Sequence, residues 1–411
     1  MSDQKKTLYL DYAAAAPLWP NVVDLVTETL RLSGNPGSLH LFGHTLNERW
    51  HNAINQLARL LGCQPDEIII TSGATESSNL ALLGTIRHLV DTKPIEIVTT
   101  AAEHPATSGP IKALEQLGAE IVYLPTTNQG HVLLANLKQS ITLNTRLVSI
   151  IAAHNETGAI QSMHRIIEVI RAAEKRISHK ILIHLDASQW AAWHKINPHH
   201  LDVDLVTISG AKIGGLAGLL YAKRGTDLRP ILFGGGQQRT LRPGTEVVAG
   251  ALGLAKALST TWDQLPQTSK QVAELKNLIG DTLMATFPQA VRRDSIDGLP
   301  NIIHLTIPGL DAASAVYALS EAGIAISTGS ACSSNEPEEK QRILNALGVP
   351  KADRDATLRI SLGWTTKKSE IIRALPIMID ILNTILKQSP DIKKLEQAGK
   401  RIADRYNNQQ A

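Results

Sequence analysis

The first residue with evident chemistry is Lys212, in Ser209-Gly210-Ala211-Lys212, directly after the apolar run 205–208 and ahead of Gly214-Gly215-Leu216-Ala217-Gly218. An amine at a strand end can condense with a carbonyl, because burial or nearby positive charge lowers its pKa. Taken alone, a lysine after a strand is more often a surface residue. Asp186 closes the apolar run 181–185 and is followed by Ala187-Ser188-Gln189. A carboxylate there can keep a ring nitrogen protonated and so make the ring an electron sink, or it can simply cap a helix. The segment Thr71-Ser72-Gly73-Ala74-Thr75-Glu76 follows the strand-like 68–70 and opens a helix, whose unpaired backbone N–H groups attract an anion such as phosphate. A plain N-cap is the equal alternative. Amine, carboxylate and anion cradle together are the parts of a pyridoxal phosphate site.

Further polar residues fall at the same kind of place. His104, in Glu103-His104-Pro105, and Asn155, in Asn155-Glu156-Thr157-Gly158, each follow an apolar run. An imidazole can stack on a flat cofactor and an amide can donate to its ring oxygen, although each residue alone is more often a structural hydrogen-bonder. Cys332 stands among small polar residues in Ser330-Ala331-Cys332-Ser333-Ser334, the setting of an exposed loop whose thiolate can act as a nucleophile. Cys63, in Leu60-Leu61-Gly62-Cys63, has apolar neighbours and reads as an inert structural thiol. Arg359, within the strand-like 358–363, can grip a carboxylate with two parallel hydrogen bonds if it faces a cleft, and is otherwise an edge-strand surface arginine.

These residues need a scaffold. Apolar runs of strand length at 96–98, 121–124, 147–152, 181–185 and 205–208 alternate with helical periodicity over 76–89, 105–117 and 166–176. That alternation predicts an α/β fold with a mainly parallel central sheet, in which ligands sit at the carboxyl ends of the strands. Beyond Gly235-Gly236 the pattern becomes helices over 246–258 and 268–287 and short strands at 302–307 and 358–361. This predicts a large domain over 1–259 and a smaller α+β domain over 260–389 that carries the Cys332 loop and against which residues 1–15 can pack. A polar tail occupies 390–411.

Composition narrows the function. With 411 residues, 43% hydrophobic and 19% charged, the chain is long enough for two cores. A net charge of +3 and the lack of a basic block beside aromatics argue against a nucleic-acid partner. No uncharged apolar run approaches the roughly 20 residues of a membrane span, and the N-terminus lacks the apolar core of a secretory signal, so no membrane partner and a cytoplasmic location are expected. Two cysteines are too few for a disulfide framework or a cysteine-based zinc site, and no metal is expected.

In order along nearly the whole chain, these segments resemble the cysteine desulfurases, the NifS/IscS-like branch of the class V aminotransferases, whose architecture is fold type I. The resemblance also includes Tyr9-Leu10-Asp11-Tyr12-Ala13-Ala14 and Asn35-Pro36-Gly37-Ser38-Leu39-His40. It implies pyridoxal 5'-phosphate on Lys212, with Asp186 at the ring nitrogen and His104 stacked on the ring. Asn155 and Gln189 match residues near the ring hydroxyl, and Ala74, Thr75 and Ser209 fall in the phosphate cradle. Thr245, in Arg242-Pro243-Gly244-Thr245, matches a residue reaching across from the second subunit of a homodimer. The implied reaction takes L-cysteine to L-alanine. Arg359 and Asn155 bind the substrate, Lys212 moves the α-proton, and the Cys332 thiolate takes the sulfur as a persulfide that a sulfur-acceptor protein collects. The stretch 332–348 is long enough to swing between cleft and surface.

The chain departs from the family pattern at Ala211, where a histidine usually precedes the lysine, and at Gly215-Leu216-Ala217. It departs again at Trp364, where an arginine often follows Ser-Leu-Gly, and at Trp190 and Trp193. Selenocysteine lyase or another sulfur or selenium lyase of the same fold is the alternative activity. A weakly active sulfur-transfer scaffold is the alternative class.

Overall fold

The computed structural model describes residues 7–328 and 337–388. Its centre is a seven-stranded sheet in the order β2-β8-β7-β6-β5-β3-β4. The strands are β2 (Ile68–Thr71), β3 (Glu96–Thr100), β4 (Glu120–Leu124), β5 (Thr145–Ile151), β6 (Leu182–Asp186), β7 (Leu205–Ser209) and β8 (Gly218–Ala222). β-Branched and apolar residues fill them, as a sheet covered on both faces requires. Neighbours from β4 through β7 pair in parallel, whereas β8 runs antiparallel to both β7 and β2. The double reversal leaves β2 parallel to the majority, so its carboxyl end joins theirs on one edge of the sheet.

Alternate residues point to opposite faces. Ile97 and Leu147 meet Leu82 and Ile86 of α3 (Ala74–Val90) and Ile111 and Leu114 of α4 (Pro105–Gln116). Val98, Val148, Ile183 and Val206 face the other layer, with Ile166, Ile170 and Ile177 of α6 (Met163–Ile177) and residues of α2 (Leu41–Leu61). The layers are completed by α1 (Pro20–Leu30), α5 (Leu134–Ser140) and the short α7 (Pro198–Leu201). At the free edge of β2, the Gln238 side chain does a strand's work: its Oε1 accepts from Ile70 N at 2.7 Å and its Nε2 donates to Ile70 O at 2.9 Å.

The helices expected over 246–258 and 268–287 are one helix, α8 (Val248–Thr286), with Pro266 inside it. A proline ordinarily breaks or kinks a helix in the stretch before it. Buried Thr261 and Trp262 hold it helical instead, their side chains donating to Ile213 O and Ala191 O at 2.9 Å each. A division at residue 260 therefore falls inside a continuous rod. Near one end of it Gly253 lies against Val22 and Val26, and near the other Gly280 lies against Arg292. Beyond α8, β12 (Thr357–Ser361), β10 (Ile302–Thr306) and β9 (Val291–Arg292) form an antiparallel sheet with α9 (Ala312–Glu321), α10 (Pro337–Ala346) and α11 (Lys368–Gln388). The N-terminal β1 (Leu8–Tyr9) pairs with β11 (Ile324–Ala325), and Asp11 bridges to Ser361, which ties the start of the chain to this smaller sheet.

Candidate active site

The carboxyl edge of the large sheet faces a cavity of about 260 Å³, and every polar residue of the large sheet's layer that enters it does so at or just past the end of a strand. Lys212 ends the tight turn Gly210–Lys212 after β7, where Ile213 N and Gly215 N both donate to Gly210 O, at 3.0 and 2.9 Å. Its ammonium donates to Ala14 O. Asp186, the last residue of β6, is buried, and Oδ1 accepts from Ser188 N at 3.0 Å. Ser209 ends β7 beside it.

At one end of the cavity lies the first turn of α3. Gly73 is its N-cap in extended backbone with no side-chain cap, so the first N–H groups, at Ala74 and Thr75, face the cavity. Such a terminus carries partial positive charge and suits a phosphate. Glu76 stands nearby as a carboxylate. Burial raises its pKa, but bonds from Arg242 Nε at 3.0 Å and Ser72 N at 2.7 Å outweigh this and hold it below the usual range. Its charge is thereby balanced by Arg242 rather than turned on an incoming anion.

His104 follows β3 and caps α4, its Nδ1 accepting from Ala106 N at 3.1 Å. In the neutral ring the remaining proton then sits on Nε2. Gln189 lines the same cavity, with Nε2 donating to Ala13 O at 2.7 Å. Asn155 donates to Glu156 Oε1 at 3.1 Å, and its Oδ1 is buried in the wall without a partner among the described residues, as is Ser188 Oγ. Arg359, on β12, reaches in from the smaller sheet. Its guanidinium bonds Asp11 Oδ1 and Glu156 Oε1, each at 2.9 Å, and Asn155 O at 3.2 Å.

Behind these groups are three that the sequence did not single out. Glu103 is fully buried, with Oε1 accepting from Thr100 Oγ1 at 2.8 Å and Ile151 N at 3.0 Å. Burial, reinforced by the nearby charge of Asp186, pushes its carboxyl up to about 8, so it is mostly protonated at neutral pH. His154 is buried and held near 4, chiefly by burial. Its Nδ1 accepts from Glu156 N and Thr157 N at 3.2 and 3.3 Å, and Nε2 donates to Ala102 O at 3.2 Å. That ring fixes the Asn155 turn against the strand-to-helix turn that ends at His104. Glu156 completes the set by holding Arg359. All three adjoin a quoted motif residue, which was the one available signal. Their complete burial was not visible in the sequence.

The cavity thus gathers Lys212, Asp186, His104, Asn155, Gln189, Ala74, Thr75, Ser209 and Arg359. Thr245 is exposed and lies outside it, in the segment between Leu241 and α8. Cys332 falls outside the described residues, while Ile343 of α10 forms part of the cavity wall. Cys63 is half-buried. Burial, with the charges of Glu67 and Asp66, pushes its thiol up to about 12, which leaves it unreactive.

The donors present fit pyridoxal phosphate. An uncapped helix terminus suits the phosphate, Asp186 a ring nitrogen and Lys212 an aldehyde, while Asn155 Oδ1 and Ser188 Oγ are buried polar atoms with no hydrogen-bond partner among the described residues.

The aminotransferase class-V family model matches residues 8–373. The cysteine desulfurase IscS of Dictyoglomus turgidum is 33% identical over 394 residues, covering 94% of this chain and 97% of that protein. A solved NifS-like protein superposes with a TM-score of 0.85 at 30% identity, covering 92% of this chain and all (100%) of its own. SspA in complex with cysteine superposes with a TM-score of 0.74 at 28% identity, covering 87% and 99%.

Proposed function

The chain belongs to the class V aminotransferases and, within them, to the cysteine desulfurases, and from that premise we propose that it binds pyridoxal phosphate through Lys212 and desulfurates L-cysteine with Cys332 as sulfur acceptor. The observation that carries the reading is that Lys212, Asp186, the α3 terminus and Arg359, from four separate elements, line one cavity. When bound, the cofactor supplies an electrophilic carbon for amine condensation and a sink for negative charge developing at the substrate α-carbon.

The protein's own groups then divide the work. Residues Ala74, Thr75 and Ser209 would hold the phosphate, Asp186 would keep the ring nitrogen protonated, and His104 would stack on the ring. Arg359 takes the substrate carboxylate, with Asn155 beside it, and the clamp from Asp11 and Glu156 keeps the guanidinium in one orientation. The Lys212 amine, at the end of the turn after β7, would move the α-proton. The Cys332 thiolate attacks the substrate sulfur: an S–S bond forms, the Cβ–S bond breaks, and its electron pair stays with the carbon skeleton that is protonated to alanine. The persulfide on Cys332 passes to an acceptor protein.

A homodimer completes the proposal. Phe233 and Val247 are 85% and 56% exposed on the segment that carries Thr245, and Gln238, Arg239 and Thr240 in the same segment all have positive φ. Large exposed apolar side chains beside a strained segment suit contact with a second copy, whose cavity Thr245 enters.

The test is product analysis from L-cysteine with a thiol acceptor. Wild type is expected to release equal alanine and sulfide. Cys332→Ala should bind pyridoxal phosphate with the same visible absorption yet transfer no sulfur, and Lys212→Ala should lose both. Equal sulfur release by wild type and Cys332→Ala refutes the relay.

A further inference from the structure

Residues 11–19 form a strap between the strand that bears Arg359 and the turn that bears Lys212. At one end Asp11 holds Arg359, and Ala13 N donates to Ser361 Oγ at 2.9 Å. At the other, Ala16 N donates to Ala211 O at 2.7 Å and Trp19 N to Gly214 O at 3.1 Å. The Trp19 indole N–H also donates to Ile213 O at 3.0 Å. The carbonyls on both sides of Lys212 are therefore held from outside the turn.

Trp364, just beyond β12, lies flat on Trp19, with ring centroids 4.1 Å apart and planes 10° apart, and Tyr12 meets it edge-on at 5.4 Å. Both indoles are half-buried. Gly214, at φ +69, passes so close beneath that a Cβ there would stand 2.7 Å from the Trp364 ring and 2.8 Å from that of Trp19. An arginine at 364, as the family resemblance suggests, could not provide this indole-on-indole stack.

We propose that Trp364 is a positioning residue: stacked on Trp19, it fixes the Ile213–Gly214 backbone and so sets the place of Lys212 relative to Arg359. The proposal rests on the assignment of the cofactor to Lys212 and of the substrate carboxylate to Arg359. One amino acid must meet both groups at once, and a displacement of about 1 Å in such a pair costs roughly 100-fold in rate. Because Arg359 and Trp364 leave the same strand, the stack ties both ends of the substrate site to one element.

The test compares full-length wild type, Trp364→Ala and Trp364→Phe, with Trp50→Phe in α2 as a tryptophan change away from the turn. Amide hydrogen exchange is read over 210–216, and the visible absorption after addition of pyridoxal phosphate is titrated with pH. Trp364→Ala is expected to speed exchange at Ile213 and Gly215 roughly tenfold and to move the titration midpoint by about half a pH unit or more. Trp364→Phe, which keeps an aromatic face on Trp19, restores both, and Trp50→Phe moves neither. Unchanged exchange over 210–216 in Trp364→Ala overturns the proposal whatever happens to Tm, and so does an unmoved midpoint. A wild type that never develops visible absorption, while Trp364→Ala still loosens the turn, keeps the clamp and sinks the cofactor assignment instead.

Discussion

Replacing Glu103 by glutamine tests the buried proton at the back of the site. The carboxyl is fully enclosed and pushed from 4.5 up to about 8, first by burial and further by Asp186, against the hydrogen bonds from Ile151 N and Thr100 Oγ1 and the charge of Arg342. In the unfolded chain it ionises near 4.5, so between that pH and 8 the native state holds a proton that the unfolded state has lost. Stability from this group is complete in acid and is lost as pH rises, at about 1.4 kcal/mol per pH unit. His154, His184 and His304, all depressed from 6.5, also exchange protons with folding near and below that value and in the opposite sense, so the part due to Glu103 is the difference between wild type and Glu103→Gln. From pH 6.5 to 8 the expected loss from Glu103 is therefore about 1.5 to 2 kcal/mol, a fall in Tm of roughly 2 °C for a chain of this size. Glutamine keeps an oxygen for Thr100 Oγ1 and Ile151 N but has no proton to lose. Thermal melts of both proteins, saturated with pyridoxal phosphate at several pH values across this window, should diverge, with wild type falling relative to Glu103→Gln as pH rises. Parallel curves would show that Glu103 does not carry the proton and that its surroundings are more polar than the buried geometry implies.

Three further outcomes are expected. His304 is fully buried with neither ring nitrogen hydrogen-bonded among the described residues, and burial holds it near 3. As pH falls below 6.5 the unfolded ring gains a proton that the native one refuses, so His304→Leu should flatten the acid side of a urea-melt stability profile by about 1.4 kcal/mol per pH unit. Arg359→Lys loses the fork that meets Asp11 and Glu156, and steady-state kinetics should show kcat/KM for L-cysteine falling about 100-fold, mostly through KM. Gly218→Ala drives a methyl group into the Gly73 backbone beneath the phosphate cradle, and equilibrium titration should show weaker pyridoxal phosphate binding, with Tm lowered by an overpacking cost of about 1 to 3 kcal/mol.

Much of the site was legible before any fold was known. Lys212, Asp186, His104 and Asn155 each follow an apolar run, and in a parallel sheet the carboxyl ends of such runs converge. The strands expected at 121–124, 147–152 and 205–208 are β4, β5 and β7 to within a residue or two at either end. The reversed strand β8 was not foreseen, since the run 213–222 has no feature that gives its direction. Nor was the continuity of α8 through Pro266. A proline removes one N–H and costs a helix about 3 kcal/mol, so sequence alone favours a break, and the burial of Thr261 and Trp262 reverses that preference.

The sequence by itself determined which chemical groups the protein owns and that most of them stand at strand ends, because side-chain type and hydrophobic period are local properties. Only the tertiary structure decided what each group experiences. Glu103 keeps its proton because α4 and the sheet exclude water around it. Arg359 is clamped because residues 11 and 156, far apart in the chain, meet at its guanidinium. Trp364 lies on Trp19 because the smaller sheet brings the end of β12 to the turn after Lys212. Electrostatic environment and long-range contact depend on which distant segments share a volume, and no local pattern encodes that.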